Sequence, residues 1–224
     1  MKSKILFGLS LVLILVSLYL VFIYVPTEKT MGIVQRIFYL MVPMGWLALL
    51  AFLVVFISSI LYLIKRKSKW DILAYSSAEI GLVFTSLALI VGSIWAKHPL
   101  AWGVWWSWEP RLTATLVLWF IYVAYFMVRS FTTDEPRGAR FSAVVGIIGF
   151  VDIPIIALAT TLWKGLHPPP LIFEGGLEDP RMLLTLLVSI AAFTLLYALL
   201  LRQRVSMKYD ENEIKRLKAY NIKE

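Results

Sequence analysis

The sequence predicts an all-α fold: a polytopic membrane helical bundle with six transmembrane helices and both termini cytoplasmic. Three observations predict it. Hydrophobic residues make up 60% of the 224 and charged residues 16%, with a mean hydropathy of +0.79. A soluble domain of this size would expose too much apolar surface to water, whereas a bilayer accepts it. Six apolar runs are each long enough to cross the hydrocarbon core, which takes roughly 20 helical residues. Finally, lysine and arginine gather in alternate connections between those runs.

The first run, Ile5–Val25, follows Lys2 and Lys4. It is longer than a signal-peptide core and no A-x-A-like cleavage site follows, so it reads as a retained helix. The remaining runs are Val42–Ile64, Leu73–Trp95, Leu112–Val128, Phe141–Trp163 and Met182–Leu201. They are continuous rather than alternating, which fits spanning helices and not barrel strands.

Orientation follows from the basic residues. With the N-terminus inside, the inner segments hold 16 of the 22 lysines and arginines, seven of them after Leu201. The outer connections keep Lys29, Arg36, Lys97, Arg111, Lys164 and Arg181. This is the positive-inside pattern of a multi-pass protein in the cytoplasmic membrane of a prokaryote. Residues 1–201 then form one six-helix domain with outer loops at about 26–41, 96–111 and 164–181. Residues 202–224 form a basic cytoplasmic tail, read as a short helix or an unstructured segment.

Composition also excludes several chemistries. The pI near 9.7 and net charge of +8 could suggest nucleic acid, but the cations are divided among membrane-flanking segments, so no nucleic-acid partner is expected. Cysteine is absent, which removes disulfides, thiolate metal sites and thioether attachment. No phosphate-binding G-x-x-x-x-G-K-[ST] loop occurs, so any ATP hydrolysis belongs to another subunit. No nucleophilic triad or metal-spaced His/Glu cluster stands out, so none of these motifs marks the chain as an enzyme.

The informative connection is the middle outer one, Lys97-His98-Pro99-Leu100-Ala101-Trp102-Gly103-Val104-Trp105-Trp106-Ser107-Trp108-Glu109-Pro110-Arg111. It packs four of the nine tryptophans into seven residues. In a helix, Trp102, Trp105, Trp106 and Glu109 would share one face. An interfacial aromatic belt explains single tryptophans at helix ends, such as Trp95, Trp119 or Trp163. Four beside Gly, Glu and Arg better suit a shelf for a flat conjugated ligand, with Arg111 placed for a carboxylate.

The run Trp102–Thr113 resembles the tryptophan-rich "WWD" signature of membrane haem-handling proteins. Its Arg-Leu-Thr continuation is similar to the haem exporter protein C (CcmC) family of cytochrome c maturation. Arg36-Ile37-Phe38-Tyr39-Leu40-Met41-Val42-Pro43, Asp152-Ile153-Pro154-Ile155-Ile156 and Leu166-His167-Pro168 extend the resemblance over most of the chain. Six helices also fit this branch, whereas the related haem lyases are usually longer.

The resemblance implies haem b, held non-covalently at the outer leaflet and passed to a membrane-anchored haem chaperone. An ABC-type ATPase complex with a membrane subunit assists. It also implies axial histidines from the first and third outer loops. Here the third-loop position is His167. The first-loop position holds Met41, and Glu109 replaces the motif's Asp. A thioether is a legitimate axial ligand, yet Met41 shares a helical face with Ile37 and equally reads as a packing residue. His98, at the mouth of the tryptophan loop, is the other second-ligand candidate. Arg36 and Arg111 suit bidentate contacts to the propionates. Glu79 and Asp152 fall inside apolar runs, where ionisable groups line a pathway or pair across helices. Two other classes remain open: a haem lyase joining haem to apocytochrome c, and a non-haem permease or channel subunit whose tryptophans only anchor it.

Overall fold

A computed structural model describes residues 2–29, 31–98, 101–132, 134–162 and 179–221. Helices dominate, and the only extended pairing among the described residues is an isolated bridge between Glu28 and Gly32. In chain order they are α1 (Lys2–Tyr19), α2 (Gln35–Lys65), α3 (Ser68–Lys97), α4 (Pro110–Phe131), α5 (Glu135–Phe150), α6 (Asp152–Leu162) and α7 (Pro180–Asn221). A π-helical turn, Leu20–Tyr24, extends α1. Among the described residues, six segments are long and apolar enough to span a membrane: Lys4–Tyr24, Gln35–Lys65, Ser68–Lys97, Pro110–Phe131, Glu135–Ala159 and Pro180–Lys215.

The fifth span is built from two helices, and its sequence explains why. Pro154 has no N–H to give the Phe150 carbonyl, and its ring disfavours helix continuation just before it. The chain turns at Val151 and restarts at Asp152.

Three helix ends differ from the expected boundaries. Helix α2 starts at Gln35, so Arg36 and Met41 stand on its first two turns rather than in a loop. Polar residues are tolerated there because the start of the span lies at headgroup depth. Helix α3 runs to Lys97. Helix α7 continues beyond Leu201 to Asn221, so the basic tail prolongs the last span through its described part.

Ion pairs account for that continuation. Arg204 pairs with Glu79 of α3, its Nη2 donating to Oε1 at 2.9 Å, and with Glu211 at 2.7 Å; Lys208 reaches Glu211 at 2.8 Å. Glu79, which had no evident partner in sequence, is thereby neutralised. Asp71 of α3 receives both Nη atoms of Arg129 from α4 at 2.6 and 2.5 Å. Planar guanidinium–carboxylate pairing of this kind is the strong form of the contact. At the other end of α7, hydrogen bonds from the Arg181 side chain and backbone N–H hold the Asp179 carboxyl below the ordinary carboxylate range.

Helix α2 is the centre of the bundle, packed on α3, α5 and α7, while α4 packs on α3, α5 and α6. Helix α1 lies outermost against α7, joined by a buried Ser17–Ser189 hydroxyl contact at 2.8 Å. Its Phe7, Leu11 and Leu15 stay exposed, as a lipid-facing helix requires.

The α2–α3 contact is close because of Gly81. A Cβ there would stand 2.5 Å from Phe52 Cε1, and Phe52 is fully buried and stacked on Tyr122 with centroids 3.7 Å apart. The ring has nowhere to retreat. Gly81→Ala should therefore lower stability by about 1–3 kcal/mol, the usual cost of overpacking. Thermal unfolding in detergent checks this against Gly8→Ala, whose added Cβ meets nothing within 4 Å. Equal melting of the two variants would refute the packing argument.

Candidate functional site

An apolar cavity of about 280 Å³ opens between α2, α3 and α4 near the end of the bundle that carries the tryptophan loop. On α2 its lining follows one helical face, with Met41, Gly45 and Ala48 at i, i+4 and i+7. From α3 come Thr85, Leu89, Gly92 and Trp95; from α4, Arg111, Leu112 and Thr115; from the loop, Trp102. The hydroxyls of Thr85 and Thr115 donate back to the carbonyls of Gly81 and Arg111, at 2.8 Å each, so neither hydroxyl proton is offered to the cavity.

Two glycines make the space. A Cβ on Gly45 would meet nothing within 4 Å, and one on Gly92 only Met41 Sδ at 3.4 Å. Glycine inside a helix costs roughly 0.5–1 kcal/mol against alanine. Neither glycine is needed for helix packing, so what they provide is room. The Met41 thioether faces that room across from Gly92.

The tryptophan loop is irregular, not helical, so the single four-residue shelf expected from helical spacing does not form. After α3 the chain turns back on itself: Ala101 N–H and Gly103 N–H donate to the His98 carbonyl at 2.9 and 3.2 Å, and Trp102 N–H to Ala96 at 3.2 Å. Gly103 sits at φ +73°, where a side chain is disfavoured. This fold-back lays Trp102 edge-on against Trp95, with centroids 5.7 Å apart.

The four loop tryptophans are thereby sorted. Trp102 lines the cavity, Trp106 is half-buried and edge-on to Trp108 at 5.8 Å, and Trp105 and Trp108 are 60% and 77% exposed. Lys97 lies over the Trp105 ring at 5.9 Å. Trp95, read in sequence as a belt residue, is instead buried in the cavity wall.

Of the other site candidates, Glu109 is buried at the N-cap of α4, its carbonyl accepting from Thr113 N–H at 3.0 Å. Pro110 then opens the helix with the missing N–H that first-turn geometry tolerates. Arg111 follows in the cavity wall, its guanidinium within electrostatic reach of the Glu109 carboxylate. Met41, Trp102 and Arg111 are thus brought together. Arg36 is not among the cavity residues: five positions before Met41, it lies about 140° round the helix. Its Nε is buried without a hydrogen-bond partner among the described residues. His98 is half-buried at the end of α3. His167 and Trp163 lie outside the described residues.

Some lining residues had no signal of their own in the sequence. Trp46, held by a 3.1 Å hydrogen bond from its Nε1 to Thr194 of α7, joins the wall beside Gly45. Glycines at 45 and 92 within long apolar runs were the available clue.

Fold and site together define a polytopic membrane protein with an aromatic, arginine-tipped cavity near one end of its spans. The chain matches the family model described as Heme exporter protein C over residues 2–220 and belongs to that family. It is 35% identical over 177 residues to Heme exporter protein C of Bradyrhizobium diazoefficiens, covering 78% of this chain and 66% of that protein. It is 32% identical to Heme exporter protein C of Escherichia coli K12, covering 81% and 73% of the two chains. A ccmC-like mitochondrial protein of cytochrome c biosynthesis from Marchantia polymorpha is also 32% identical, covering 85% and 81%. Membership of this family supports a role in haem delivery for cytochrome c maturation.

Proposed function

We propose that the protein is a haem carrier that binds haem b non-covalently at the outer membrane face, under the tryptophan loop. It then delivers the haem to a membrane-anchored chaperone, working beside an ABC-type ATPase complex. The observation that carries this reading is the cavity in which Trp95, Trp102 and Met41 meet the Arg111 guanidinium. The indole faces and the absence of side chains at Gly45 and Gly92 suit the apolar part of a porphyrin. Arg111 suits a propionate, which its fork can hold through two hydrogen bonds. Arg36, with its buried Nε, is the second propionate candidate.

His167 is the proposed axial ligand of the third outer loop, with Met41 or His98 completing the pair. Trp105 and Trp108 are exposed beside the site, which suits a surface that passes its cargo to another protein. The chain itself forms no covalent bond to haem in this reading and acts as a carrier. Residues 1–201 form its membrane domain and 202–224 a cytoplasmic extension.

A visible spectrum of the purified protein tests the proposal. A Soret band is expected, and it should be lost when Trp102, Trp105, Trp106 and Trp108 are all replaced by Ala while membrane insertion persists. Unchanged haem content would reduce these residues to an interfacial belt. The positive-inside count supports cytoplasmic termini in a prokaryotic cytoplasmic membrane. Reporter fusions at Lys67 and after Arg204 should score inside and a fusion at Lys97 outside; an inside score at Lys97 would remove the outer-face site.

A further inference from the structure

A second cavity, of about 690 Å³, lies at the opposite end of the bundle, among the α2–α3 junction, the α4–α5 junction and the extension of α7. Its character is opposite to that of the first. Five cations line it, Arg66, Arg129, Arg140, Lys208 and Lys215, against two carboxylates, Asp71 and Glu135. Three of the five are already engaged: Arg129 by Asp71, Lys208 by Glu211 and Lys215 by Glu135. Arg66 and Arg140 make no ion pair among the described residues. Both stand, with Arg129, within electrostatic reach of the Tyr62 phenol, so their charges converge on one space.

Its depth is set by Trp70, half-buried beside it, with the Lys65 and Lys69 ammonium groups 5.7 and 4.9 Å from its ring centroid. Tryptophan flanked by lysines marks headgroup level. Next to the cavity, the last apolar residues of α2 and α4, Ile64 and Phe131, are 71% and 78% exposed, offering a surface for acyl chains.

We propose that this cavity binds the phosphate of an anionic phospholipid headgroup through the guanidiniums of Arg66 and Arg140. A phosphodiester presents the paired oxygens that a guanidinium fork matches, and the two free cations suit a headgroup with net negative charge. Basic pockets between transmembrane helices are the recurring form of such sites. A choline headgroup carries its own cation into a space already positive, and binds less well. The bound lipid joins α2, α5 and α7, and so fixes the α7 extension against the bundle.

Native mass spectrometry of the detergent-solubilised full chain tests this with three probes: dioleoyl phosphatidylglycerol, dioleoyl phosphatidylcholine and inorganic phosphate. Phosphatidylglycerol should bind in preference to phosphatidylcholine. The double substitution Arg66→Gln/Arg140→Gln should weaken phosphatidylglycerol binding on the order of tenfold, as two headgroup-facing cations imply. Neither arginine holds a structural ion pair, so the variant should melt with the parent protein. Arg66→Lys/Arg140→Lys keeps both charges and serves as a check on folding, with binding between the other two. Equal binding of both lipids, or full phosphatidylglycerol binding by the Gln variant, overturns the proposal. Inorganic phosphate competing at the same concentrations would assign the site to a soluble anion and overturn the lipid assignment.

Discussion

Replacing Gly92 or Gly45 by Leu should strip the protein of haem while leaving its helices as stable as before, or more so. Both glycines line the cavity, and neither packs tightly against a neighbouring helix. A Cβ at Gly92 falls at ordinary van der Waals distance from Met41 Sδ, and one at Gly45 in open space. The isobutyl group beyond it must then occupy the volume that a porphyrin would enter. Leucine is among the better helix formers, so the backbone gains up to about 1 kcal/mol over glycine. Loss of binding with retained stability separates a ligand cavity from a packing defect, because a defect filled by leucine would only gain. Haem per protein, measured as the pyridine haemochrome, should fall at least tenfold for either variant, with thermal midpoints unchanged or raised. Gly8→Leu, on the lipid side of α1, should keep its haem. Full occupancy in Gly92→Leu and Gly45→Leu would place the ligand elsewhere.

The spans were legible in the sequence because the bilayer imposes a long apolar run on any helix that crosses it. Their ends were less so. Gln35 and Arg36 look like loop residues by their polarity although α2 begins with them, and the α7 extension is largely polar. Its order comes from Arg204 and Lys208 meeting Glu79, Glu211 and the Tyr75 ring, contacts that mostly join residues far apart in the chain.

The site divides in the same way. The density of tryptophan marked the loop, but helical spacing misplaced its members, because the fold-back at His98–Gly103 depends on Gly103 at positive φ and not on periodicity. Trp95 looked like a belt residue for a related reason. Sequence places it at a helix end, and only the returning Trp102 closes over it. Glycines 45 and 92 carry no chemistry of their own, and their meaning lies in what faces them across the α2–α3 interface.

The iron ligands can be resolved by changing one sulfur. Met41 is on the cavity wall with its Sδ facing Gly92, which gives a thioether access to the same space as Trp102 and Arg111. If His167 and Met41 are the axial pair, the two should respond unequally to removal. His167→Ala should lower haem occupancy sharply, since imidazole is the stronger ligand. Met41→Ala should cost less haem but shift the spin state, because water can take the vacated position. Met41→His should create a bis-imidazole site and lower the reduction potential. A shift on the order of 100 mV is reasonable within the roughly 0.8 V that axial ligation spans. The sign follows from the ligand: thioether favours ferrous iron, and imidazole favours ferric iron by comparison. Weak ligation on one side also fits a carrier, since cargo held by one firm bond is released more readily than cargo held by two. A redox titration with magnetic circular dichroism on the three variants reads all of these outcomes. Identical spectra and potentials for Met41→Ala and the parent would remove Met41 from the iron and leave His98, at the end of α3, as the second ligand to test.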